Sequence, residues 1–192
     1  MIDVRFNALA AWPHGNTWDR RSKQTFKASW SATLDLLDRE LRLLDAANVI
    51  IGVNLRPGDI RLDGWPRSNA AQPLHPGVEL SFDSRAIAKL DPVVRRGLAL
   101  ISRAGGVKQA LHRHHPDHEG GAVADIVAIN AATDPTKRLV YATDACEDWR
   151  HNVRSIALGL EALRAVDRYG ISRRGEQYAG FRAALTSGGA RP

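Results

Sequence analysis

Between Trp149 and Val166 the apolar side chains Trp149, Val153, Ile156, Leu160, Leu163 and Val166 recur at intervals of four, three, four, three and three. That spacing is the repeat of an amphipathic α-helix, and a single apolar stripe has to be covered by other elements. Gly170 follows where a C-terminal cap belongs. A second periodic segment starts at Ser31, with Leu34, Leu37, Leu41 and Leu44 three or four apart and Ser31 or Thr33 as its cap. Asp35, Asp38, Arg39, Glu40 and Arg42 fill its other face, and Glu161, Arg164 and Arg168 are expected to form a solvated charged face on the later helix.

Short strand signals lie around these helices. Residues 48–55, NVIIGVNL, read as a buried β-branched strand, and residues 77–82, GVELSF, alternate as a half-buried strand does. Val4 to Ala8 and residues 138–143, RLVYAT, supply two more candidates. Residues 12–28 read as a polar loop with two tryptophans, and the stretch from Arg56 to Pro73 is turn-rich.

The middle of the chain has a different pattern. Val94, Leu98 and Ile101 keep helical spacing up to Gly105-Gly106; Val107, Ala110, Leu111 and His114 form a second short repeat; Val123, Ile126, Val127 and Asn130 form a third. The expected fold is α+β: a small mixed-sheet α/β module, residues 1–85 and 139–185, interrupted by a three-helix insert, residues 86–138, with a flexible tail at 186–192. One continuous mixed domain, its helices covering the sheet, is the alternative.

Hydrophobic residues at 44% and charged residues at 25% suit a soluble globular chain, and no apolar run approaches the length of a membrane span. The N-terminus, with an acid at position 3, does not read as a signal peptide, and the single cysteine, Cys146, fits a reducing cytoplasm. A net charge of +6 brings anionic partners into consideration. Trp12, Trp18, Arg20, Arg21 and Lys23, together with Arg173 and Arg174, are the candidate nucleic-acid contacts, through stacking and phosphate neutralisation. The competing reading is a structured loop with one tryptophan on the core.

Residues 111–121, LHRHHPDHEGG, gather His112, His114, His115 and His118 beside Asp117 and Glu119. A metal site is one reading, since imidazoles and carboxylates are ligands. Its candidates are sequence neighbours in a turn, and Pro116 disfavours helical geometry at His115, which would be needed for His112 and His115 to share a helical face. Hydrolysis needs a nucleophile from elsewhere, and no recognisable elbow supplies one. A solvated turn between helices is the plain alternative.

Beyond that turn, His115-Pro116-Asp117 follows a short basic helix carrying Lys108, His112 and Arg113, and precedes Ile129-Asn130-Ala131-Ala132 and Asp134-Pro135-Thr136-Lys137-Arg138. This arrangement resembles the J-domain, in its Gly-Gly variety. The spacing from Ile129 to Asp134 is about one helical turn shorter than in that family, and Leu98, Leu100 and Ile101 stand where its first helix usually carries Tyr and Leu. The flanking segments, including DLLDRELRLL, HPGVELSFDSR and the stretch from Asp148 to Phe181, resemble an uncharacterised α/β module found beside J-like segments in actinobacterial and phage proteins. The J-domain resemblance implies a non-enzymatic co-chaperone that docks on a DnaK-type chaperone through His115, Pro116, Asp117, Lys108, Arg113 and His112 and stimulates its ATPase. No catalytic residue, metal or cofactor is implied. The α/β module would recruit a client protein, and no membrane is involved. A nucleic-acid-binding protein and a histidine metal-site enzyme are the alternatives.

Overall fold

The structure, a computed structural model, describes residues 3–21, 26–115, 122–171 and 175–181. The chain adopts the expected α+β class. Strands β1 (Val4–Ala8), β2 (Ala46–Val53), β3 (Val78–Ser84) and β4 (Lys137–Thr143) form one sheet in the order β1-β2-β3-β4. β1 and β2 are parallel, joined by helix α1 (Trp30–Leu43), whereas β2–β3 and β3–β4 are antiparallel. Helices α2 (Arg85–Ala88), α3 (Pro92–Ala104), α4 (Val107–Arg113) and α5 (Val123–Thr133) lie between β3 and β4, and α6 (Trp149–Arg168) follows the sheet.

Alternation along the strands sets the core. Val4 and Phe6, Val49, Ile51 and Val53, Val78, Leu80 and Phe82, and Leu139 and Tyr141 are buried together with Leu36, Leu37 and Leu41 of α1 and Val153, Ile156 and Leu160 of α6. The other sheet face carries exposed Arg5 and Asn7 and half-buried Glu79, Asp83 and Arg138. A sheet covered on one face tolerates that division. The free edge of β1 is blunted by the turn-rich segment after β2, where Phe6 N donates to Gly64 O at 2.8 Å and Trp65 packs on the Phe6 ring.

Two details of α1 and α6 differ from the sequence reading. The cap is Ser29, whose side chain accepts from Ala32 N at 3.1 Å, rather than Ser31 or Thr33. Glu40, on the charged face of α1, is fully buried, and Arg164, rather than lying on a solvated face, is its partner: Nε lies 2.7 Å from Oε2 and Nη2 3.2 Å from Oε1. Arg39 Nε adds a third bond at 3.0 Å. Burial pushes the Glu40 carboxyl up, but the hydrogen bonds and charges of Arg164 and Arg39 outweigh it, so the group stays below the usual carboxylate range. This pair joins α1 to α6 at the helix layer, where loss of one partner would leave a buried charge.

The helices between β3 and β4 have their own small core of Ala104, Ala110 and Ile129, with Leu100, Ile101, Val107 and Leu111 against it. α3 starts with an Asp91 cap and Pro92, and ends at Gly105, whose φ of +82° suits glycine. Its buried positions are Val94, Gly97 and Ala104; Leu98 is 37% exposed. α5 buries Asp125, Ala128, Ile129 and Ala132, leaving Val123 and Val127 at 66% and 55% exposure. Both helical faces are therefore rotated from the sequence reading. The cause is close approach: a Cβ at Gly97 would stand 1.9 Å from Ala128 O and 2.7 Å from Ala132 Cβ. Small residues form the contact, and the larger aliphatic residues are displaced from it.

This contact yields a discriminating substitution. By helix propensity alone Gly97→Ala would gain up to about 1 kcal/mol. Overpacking against a backbone oxygen costs about 1–3 kcal/mol and should win. Thermal denaturation followed by circular dichroism is expected to show a lower melting temperature for the variant; an unchanged or higher value would contradict the α3–α5 geometry.

Candidate partner-docking site

The site begins with α4. Gly105 and Gly106, with φ of +82° and +149°, turn the chain from α3 into a helix of seven residues. A helix this short holds its shape through packing rather than intrinsic propensity. Ala110 is buried, and Val107, Leu111 and His114 are half-buried on the same side. Lys108, Gln109, His112, Arg113 and His115 are exposed. The helix ends at Arg113 with His114 as its cap, as the following Pro116 requires. His112 and Arg113 in the last turn also suit the negative end of the helix dipole.

Four neighbouring basic residues thus separate by direction. His114 turns inward, with Nδ1 2.9 Å from Asp125 Oδ2, while His112, Arg113 and His115 face outward. The structure brings together Lys108, His112, Arg113 and His115 of the expected docking residues; Pro116 and Asp117 lie outside the described residues. Sequence spacing placed His114 on the inner face but did not reveal Asp125, the one acid of the mainly apolar α5. Among the described residues, no group of three or more His, Cys, Asp or Glu is arranged to hold a metal ion.

The expected nucleic-acid contacts are dispersed differently. Trp12 is used inside the fold: its ring stacks on His75 at 5.2 Å, and its Nε1 donates to Gly15 O. Gly77 makes room for it, since a Cβ there would come within 2.4 Å of the indole. Arg20 is also committed, with Nε donating to Asp144 O at 3.0 Å and Nη2 to Asp144 Oδ2 at 2.8 Å. Trp18 and Arg21 are exposed, Trp18 at 96%. Lys23, Arg173 and Arg174 lie outside the described residues.

Asp144 is the hub of this second cluster. Beyond Arg20, it accepts from Thr17 N at 2.8 Å and Thr17 Oγ1 at 2.5 Å. Burial raises its carboxyl, but these bonds and the Arg20 charge pull it below the usual range. Its neighbour His75 accepts from Gly77 N at Nδ1, which places the ring proton on Nε2, 2.8 Å from Asn16 Oδ1. Arg20 Nη2 is 2.9 Å from that nitrogen and Asp144 Oδ2 is 3.5 Å from it. Burial and then the Arg20 charge hold His75 below the ordinary histidine value, with Asp144 acting in the opposite sense. A neutral His75 therefore belongs to the folded latch that holds residues 12–21 against the end of β4.

No family model, curated protein or solved structure matches this chain. No helix among the described residues is long and apolar enough to cross a membrane.

The His75 environment implies a direction of pH dependence. Its folded value lies below the unfolded 6.5, so the unfolded chain takes up the proton first. The contribution is complete above that value and is lost as the pH falls from it toward the lowered one. Urea midpoints should drop between about pH 7.5 and about pH 5.5, and the drop should be smaller in His75→Gln. Equal drops in both proteins would show that His75 does not carry the effect.

Proposed function

We propose that this protein is a J-like co-chaperone that docks on a DnaK-type chaperone and stimulates its ATPase. The observation that carries the reading is the outward placement of His115 at the exit of a short helix whose exposed side bears Lys108, His112 and Arg113. In sequence, His115 is followed by Pro116 and Asp117.

On this reading the bond-breaking chemistry belongs to the partner. Lys108 and Arg113 steer an acidic surface toward α4. Asp117 makes a charge-assisted pair with an arginine of the chaperone. Pro116 restricts the loop before binding and lowers the ordering cost. His115 offers a hydrogen-bonding aromatic edge. The sheet and its two covering helices act as the module that brings a client, in the cytoplasm where the chaperone operates.

One observation favours nucleic acid as a second partner. Trp18 is exposed although Thr17 and Arg20 on either side are bound to Asp144. A tryptophan presented from a clamped loop can stack on a base at little entropic cost. Salt-dependent quenching of tryptophan emission by a single-stranded oligonucleotide, absent in Trp18→Ala, would mark that activity.

Steady-state ATPase of a bacterial DnaK tests the main reading. The wild type is expected to stimulate turnover, and Trp18→Ala is expected to stimulate equally. Asp117→Asn should cost about 2 kcal/mol of docking, roughly a 30-fold rise in the concentration needed. His115→Gln should also impair stimulation. A folded wild-type protein that leaves the rate unchanged would overturn the co-chaperone reading.

A further inference from the structure

Among the described residues, three carboxylates are buried at junctions between elements. Glu40 joins α1 to α6, and Asp144 holds residues 12–21; both are accounted for by the fold they stabilise. Asp125 is different because it meets two other helices at the point where the chain leaves α4. It sits in the first turn of α5 and is 8% exposed. Arg96 Nη2 of α3 is 2.5 Å from its Oδ1, and His114 Nδ1 at the end of α4 is 2.9 Å from its Oδ2.

These contacts are close in distance, but neither Asp125 Oδ1 nor His114 Nδ1 completes a well-angled hydrogen bond. For Arg96 the attraction is that of opposite charges, which depends less on bond direction than a hydrogen bond does. The position also suits a carboxylate, since the first turn of a helix is its positive end.

Apolar packing explains how the middle of α4 is seated, through Ala110, but Ala110 is the only residue of α4 itself that is buried. At the C-terminal end the seat is the polar contact of His114. This matters because the segment has histidines at 112, 114 and 115, and a rotation of the last turn would exchange which of them faces out.

We infer that Asp125 is a positioning residue: by holding His114 inward, and with Arg96 on its other oxygen, it fixes the exit of α4 so that His115 is displayed. The consequence for docking rests on the co-chaperone reading; the latch itself does not.

The test uses the full chain and the variants Asp125→Asn, His114→Leu and their combination, with Arg96→Gln as a fourth. Amide hydrogen exchange reads the latch without any chaperone: His114 and His115 amides should exchange faster in Asp125→Asn and His114→Leu, and the double variant should match either single one. ATPase titrations read the consequence. If the displayed state falls to about a tenth of the population, the half-maximal concentration rises roughly tenfold with the maximal rate kept. Arg96→Gln, which spares the His114 contact, should shift it less.

Unchanged exchange at His114 and His115 in Asp125→Asn would overturn the inference. So would additive effects in the double variant, or a lower maximal rate in step with a lower melting temperature, which is the signature of a merely structural carboxylate. If the wild type itself gives no stimulation, the co-chaperone reading fails, and the exchange measurements alone decide the latch.

Discussion

The pairing of β3 with β4 is the constraint on which the rest of the molecule depends. Their ladder runs without interruption from Val78 opposite Thr143 to Ser84 opposite Lys137. An ordinary hairpin would close there with a few residues. Here helices α2 to α5 intervene before the chain returns in register. The two strand ends fix where that excursion starts and stops: α2 still lends Ile87 to the sheet's core, while α3, α4 and α5 pack on one another. The separate core around Ala104, Ala110 and Ile129 is the outcome.

The corner itself is pinned by Ser84. Its buried hydroxyl donates to Leu44 O at 2.6 Å and accepts from Ile87 N at 3.1 Å, joining the end of α1, the end of β3 and the start of α2. Around it lie the exposed pairs Arg85–Asp134 and Lys89–Asp45, at 3.6 and 3.9 Å, and the half-buried pair Lys137–Asp91 at 3.6 Å. Exposed pairs of this kind contribute little individually. The covalent closure and the Ser84 bonds carry the attachment, and the ion pairs orient it. A proposed docking helix is thereby held on a frame without being built into the frame's core.

Much of this was legible in the sequence, and the misses share a physical cause. Periodicity located α1, α6 and the strands because large aliphatic residues mark their buried faces. It misassigned α3 and α5 because their contact is made by Gly97, Ala128 and Ala132, whose small size is the point of the contact and gives no hydrophobic signal. It placed Arg164 on a solvated face and Glu40 on the charged face of α1 because a pair 124 residues apart cannot be recognised from one helix alone. For the proposed site, Pro116 showed where α4 must stop and the spacing put His114 with the apolar residues. Asp125, the group that receives His114, stood out only once α4 and α5 were brought together. Trp12 and Arg20 looked available for ligands because their partners, His75 and Asp144, are distant in sequence.

Under the proposed function the helical excursion, rather than the sheet or the N-terminal loop, meets the chaperone. Amide chemical-shift mapping of the isotope-labelled full chain, titrated with a DnaK-type chaperone in its ATP state, tests it most directly. Perturbations should concentrate from Val107 to His115 and on the first turn of α5, with β1 to β4 unaffected. Perturbations confined to residues 9–21, or none at saturating chaperone, would contradict it.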